Sequence, residues 1–111
     1  MTVADDGNGL INVTAHTLAS GANTMKATDA KHSVACVGFA LHVSGTAGAI
    51  GLGFGGVEKW RITSVATPGA PVVNPPRFRL AIPPGLNLEI IAANATTVVD
   101  GGLIYDPPPS V

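Results

Sequence analysis

Charge is scarce in this chain: Asp, Glu, Lys and Arg make up 12% of its 111 residues, about half the usual share. The net charge of −1 excludes the broad basic surface that binds nucleic acid or an acidic membrane. A single cysteine, Cys36, excludes an intramolecular disulfide and argues against a disulfide-stapled secreted domain. Aromatics are 5% of the chain, with Trp60 and Tyr105 the only amphipathic ones, which disfavours a face that stacks sugars or bases on several rings. Fourteen Gly and nine Pro interrupt the chain too often for long helices. The run from Ser33 to Val57 holds 25 residues without an acid, Lys or Arg, long enough to span a bilayer. It contains His42 and many glycines, and its first half alternates, so it reads as strand and no membrane partner is expected. The opening MTVADDGNG has no basic region followed by an apolar core, which points to synthesis in a reducing compartment.

What is present is short-period hydrophobic patterning, with a mean hydropathy of +0.38. The firmest example is RFRLAIPPGLNLEIIAA, residues 77–93. Phe78, Leu80 and Ile82 alternate with Arg77, Arg79 and Ala81; after Pro83-Pro84-Gly85, Leu86, Leu88 and Ile90 alternate with Asn87, Glu89 and Ile91. This predicts an antiparallel hairpin with Ile82 facing Leu86, Leu80 facing Leu88, Phe78 facing Ile90, and Arg79 opposite Glu89. Residues 10–18 and 57–65 also read as strands, the latter with Trp60 and Ile62 directed into the core beside Phe78 and Leu80. Residues 19–30 read as a loop, and Val72-Val73 as a segment touching an edge strand. In 31–43 the larger set Ala35, Val37, Phe39, Leu41 and Val43 is predicted to fill the core. The smaller set, Val34, Cys36, Gly38 and Ala40, is then a candidate subunit interface. A final strand is expected over 95–105, interrupted at the turn-forming Asp100-Gly101-Gly102.

About 65% of the unfolded surface of a chain this long is buried on folding, enough for one core. The reading is an all-β antiparallel sandwich, jelly-roll-like, with an immunoglobulin-like sandwich as the alternative. The sandwich would span 10–105, between an N-terminal arm, 1–9, and a Pro-rich tail, 106–111. Asp5 and Asp6 in the arm, and Pro107, Pro108 and Pro109 in the tail, are candidate contact residues, because polyproline loses little entropy on docking.

Motifs for chemistry are weak. Gly51, Gly53 and Gly56 satisfy G-x-G-x-x-G, but a dinucleotide site needs a helix directly afterwards and the following residues alternate like a strand. His16, His32 and His42 lack metal-ligand spacing, and Cys36 sits among Val, Ala and Gly with no base nearby in sequence. No metal, cofactor or enzymatic activity is expected. Asn12-Val13-Thr14 and Asn94-Ala95-Thr96 match the glycosylation sequon by chance on this reading.

With its turn-rich arm, its Pro-rich tail and stretches such as VEKWRI and RFRLAIPPGLNLEII, the chain resembles the decoration (cement) proteins of tailed-bacteriophage heads. The resemblance implies a homo-oligomeric virion protein, a homotrimer, on the capsid surface and made in the host cytoplasm. It would bridge neighbouring copies of the major capsid protein and stabilise the assembled head. The alternative is a phage fibre head or another carbohydrate- or receptor-binding sandwich.

Overall fold

The computed structural model describes residues 3–28, 30–46, 48–66 and 71–106, with the side chains of 63–66 outside the description. Ten strands follow in order: β1 (Val3–Asp5), β2 (Leu10–Thr17), β3 (Gly21–Ala27), β4 (Val34–Gly45), β5 (Gly48–Phe54), β6 (Val57–Ala66), β7 (Pro71–Val73), β8 (Leu80–Ile82), β9 (Asn87–Ala92) and β10 (Thr97–Asp106). One sheet runs β1-β2-β10-β4-β7, with β8 also on β4, and the other runs β3-β9-β5-β6. Every pairing is antiparallel. From β2 to β6 the chain changes sheet at each step except the β5–β6 hairpin, and it crosses again from β8 to β9 and from β9 to β10. This is the jelly-roll winding of two antiparallel sheets, so the immunoglobulin-like alternative is set aside.

The core lies between the sheets. Ile11, Val43, Val99, Leu103 and Ile82 from the larger sheet meet Ile50, Leu52, Leu88 and Ile90 from the smaller, all with no exposed surface. Each such side chain contributes roughly 1.5–3 kcal/mol on burial.

Five sequence expectations change. The 77–93 stretch alternates as read, and Phe78, Ile82, Leu88 and Ile90 are buried. It is not a hairpin, however: β8 pairs with β4 in one sheet and β9 pairs with β3 and β5 in the other. The turn between them is closed by Leu86 N–H donating to the Pro83 carbonyl, 3.2 Å. Pro84 takes its second position and Gly85, at φ 81°, its third. That is the type II pattern, whose twist splays strands instead of pairing them, so the two halves enter opposite sheets. Leu86 stays 37% exposed. Arg79 pairs with Asp106 at 2.8 Å instead of Glu89, which accepts the Gly56 N–H at 2.8 Å.

The second change is in β4. Gly38 pairs with Ile104 and Cys36 with Tyr105, so Val37 is an extra residue in the ladder. One bulged residue reverses the inward parity. Phe39, Leu41 and Val43 face the core as expected, but before the bulge it is Val34 and Cys36 that do so, at 3% and 0% exposure. Third, residues 21–27 form β3, not a loop, paired with β9. Fourth, the N-terminal segment is not a free arm: Val3, Ala4 and Asp5 pair with Val13, Asn12 and Ile11, and the last strand ends at Asp106 opposite Ala35. Residues 1–2 and the tail prolines Pro107, Pro108 and Pro109 lie outside the described residues.

Trp60 also departs from its expected place. It faces Phe78 edge-on, with ring centroids 5.2 Å apart, and Phe78 in turn meets Phe39 at 5.3 Å. Strand β6 is the outer strand of its sheet, so the indole closes the end of the core and remains 41% exposed. Trp60→Ala is therefore expected to cost about 1–2 kcal/mol, well under the 3–5 of a fully buried ring; a denaturant titration measures the difference.

Candidate functional site

Strand registry builds a distinctive surface on the outer side of the larger sheet. In one row across it Leu10 on β2 lies opposite Ile104 on β10, which lies opposite Gly38 on β4. In the next, Asn12, Gly102, Ala40 and Val73 follow one another across β2, β10, β4 and β7. In the third, Asp100 faces His42, which faces Pro71. Large side chains thus flank a floor of glycine and alanine. Two shallow hollows of ≈ 300 and ≈ 320 Å³ meet over Ala40 and Gly101. Val73 is 69% exposed, Ile104 51% and Leu10 38%, so three large apolar side chains stand open to solvent on one face.

The charge bordering this face is held locally. Asp100 accepts the N–H of Ala15 at 2.6 Å, where β2 carries an irregularity against β10 and Ala15 has φ 43°. Arg79 and Asp106 satisfy each other at the far end. Of the interface residues read from the sequence, Ala40 lies on the face and is exposed. Gly38 lies beneath Asn74, whose Oδ1 accepts the Phe39 N–H at 3.0 Å. Val34 and Cys36 point into the core and are unavailable to a partner. Leu10, Val73 and Ile104 were missed; the alternation of 10–13 carried a signal for Leu10, whereas only the neighbouring strands give Val73 and Ile104 their place.

The two edges of the sandwich differ. At one, β1 and β3 are the outer strands. Tyr105 O–H donates to Asp5 Oδ1 and Lys26 Nζ contacts Oδ2, both at 2.5 Å, while the same Nζ stands 4.6 Å from the Tyr105 ring centroid. Partial burial pushes the Asp5 carboxyl up, but hydrogen bonds from Lys26, Tyr105 and the Gly7 N–H outweigh it and hold the group below its ordinary value. Burial lowers Lys26, and its hydrogen bond and attraction to Asp5 reverse that, leaving it raised. A hollow of ≈ 310 Å³ opens here, lined by Val3, Asp5, Thr24, Met25, Lys26 and Ala27. At the other edge Trp60 is exposed on β6. Asp6, the second proposed contact residue, is exposed and accepts the N–H groups of Asn8 and Leu10.

Cys36 has no exposed surface, and burial pushes its thiol up to about 11, an inert state for a nucleophile. The glycines 51, 53 and 56 precede a strand, and the Val57 carbonyl leaves no room for a side chain at Gly53. Among the described residues no three His, Cys, Asp or Glu side chains gather as a metal site would require. What the surface offers is contact area. No protein family matches the chain, and comparisons with curated proteins and with solved structures likewise found no match.

Proposed function

We propose that this protein is a structural module that attaches to an ordered protein shell, as a capsid decoration protein does, through the outer face of its larger sheet. The observation that carries the reading is the row structure of that face, in which exposed Leu10, Val73 and Ile104 surround a floor of small residues. Burying such a surface against the major capsid protein is favourable at roughly 25 cal/mol per Å², and little charge must be desolvated. A protein that binds only the assembled lattice stabilises it by mass action, and several copies joined together bind more tightly than one. Jelly rolls serve in capsid and lectin domains alike, so the fold by itself chooses neither.

The test is co-sedimentation with empty heads of the virus that carries the gene. The wild type is expected to pellet with the shells. Ile104→Glu places a charge in the middle of the face at a half-exposed site; it should melt normally and bind at least about tenfold more weakly. Undiminished attachment by Ile104→Glu overturns the reading. The second reading, a glycan- or receptor-binding module, is favoured by one observation, the 41% exposure of the only tryptophan. Glycan binding that depends on Trp60, without shell binding, would establish it.

A further inference from the structure

The β6 edge of the sandwich sets a braced aromatic ring beside a cation that the fold leaves unused. Trp60, 41% exposed, stands edge-on to Phe78 at 5.2 Å, and Phe78 stands edge-on to the buried Phe39 at 5.3 Å. The exposed indole is thus held in place from the core outward. Arg77 immediately precedes Phe78, in a turn closed by the Phe78 N–H donating to the Pro75 carbonyl at 3.3 Å. Its backbone lies at φ 63°, an outlier for so bulky a residue, and such outliers cluster at ligand sites. The neighbouring cations are engaged: Arg61 pairs with Glu58, Arg79 pairs with Asp106, and the Lys59 ammonium lies 5.1 Å from the Phe54 ring centroid. Arg77 is exposed, and among the described residues no carboxylate pairs with it. Every carboxylate among the described residues already has a partner on its own chain, so nothing in the described fold answers this guanidinium.

We infer that Trp60 and Arg77 form a subsite for an acidic saccharide, a sugar ring that bears a carboxylate. The C–H face of the ring lies on the indole, which is apolar in its body and polar at its tip. The carboxylate takes the guanidinium through paired N–H···O bonds, the geometry that these two planar groups share. One exposed ring accommodates one sugar unit, which suits a chain poor in aromatics. An acidic peptide joining the sheet edge is the competing ligand, but β6 is a poor template for it. Its pairing with β5 is irregular at three points, and bulged, Lys-bearing edge strands resist strand addition. The inference rests on the second reading above, glycan binding, and deepens it by naming the ligand class; it uses no residue of the shell-binding face.

Fluorescence titration tests it, because Trp60 is the only tryptophan and its emission reports this position alone. The probes are hexagalacturonate, neutral maltohexaose and hexaglutamate, each added to the intact chain at physiological salt. Hexagalacturonate should change the emission saturably, and maltohexaose should bind at least about tenfold more weakly. Arg77→Gly removes the guanidinium at a φ that glycine adopts freely, so it should melt no lower than the wild type. It should still bind hexagalacturonate about tenfold more weakly. Equal affinity for maltohexaose, or undiminished binding by Arg77→Gly, overturns the acidic-saccharide assignment and leaves the glycan reading standing. No response to either sugar overturns both. Hexaglutamate binding as tightly as hexagalacturonate overturns the assignment in favour of an acidic peptide.

Discussion

Gly101→Val is expected to destabilise the fold by about 3 kcal/mol or more, the largest single effect among the surface positions. Gly101 has φ 132°, a conformation that a β-branched residue does not tolerate. A side chain there would collide with the Ala40 carbonyl oxygen, with Leu41 Cα only 3.2 Å away. Those atoms belong to β4 where it pairs with β10 from Thr97 to Asp106, so they cannot withdraw without breaking the sheet's longest ladder. The melting temperature should fall by roughly 10–20 °C for a domain of this size. Gly7→Val is the control, because Gly7 is also left-handed, at φ 79°, but has nothing within 4 Å. It should show the backbone strain without the collision, about 1–2 kcal/mol. Equal losses in the two variants, read from chemical denaturation, would show that crowding against β4 is unimportant.

Asp5→Asn is expected to cost about 1–3 kcal/mol at neutral pH, an allowance already reduced for the partial exposure of the ion pair. The carboxylate receives the Tyr105 hydroxyl from the larger sheet and the Lys26 ammonium from the smaller, so its loss unfastens the sheets at the β1/β3 edge. The same geometry sets a pH dependence. Asp5 is held below its ordinary value of 3.8, so it binds fewer protons folded than unfolded. Its contribution is complete above pH 3.8 and declines as the pH falls through the lower folded value. Asp6, held by the N–H groups of Asn8 and Leu10, and Glu58, held by Arg61, shift in the same direction. Stability should therefore drop on acidification below about pH 4, and Asp5→Asn should show a shallower drop. A variant with the full acid dependence of the wild type would remove Asp5 from this role. A double-mutant cycle with Lys26→Met isolates the pair.

The way these groups meet marks the limit of what the sequence conveys. Asp5, Lys26 and Tyr105 are spread over a hundred positions and share no motif. Only the placement of β1 and β10 in one sheet and β3 in the other brings them together. The apolar face behaves alike: Leu10 is visible within an alternating stretch, but its neighbours Ile104 and Val73 come from β10 and β7 through registry. The acidic pair and small-residue stripe that did stand out in the sequence were assigned by local character. Asp5 proved to hold the sheets together, and half of the stripe proved to be core.

Alternation is a local property: a residue's side follows from its neighbours two positions away. For that reason the all-β class, the single core and the inward sets at 39, 41 and 43, at 78 and 82, and at 88 and 90 were determined by the sequence alone. Residues 21–27 escaped because they are small and polar and become a strand only through pairing with β9. The bulge at Val37 escaped because one inserted residue changes parity without changing composition. Pro83-Pro84-Gly85 signalled a turn, but whether the chain returned beside β8 or crossed to the opposite sheet depended on the free edges that β4 and β5 offered. Trp60 had the alternation of a core residue and lies at the rim, because β6 is the last strand of its sheet. Which strand is outermost depends on how all the strands pair, and that is decided only when the two sheets close on each other.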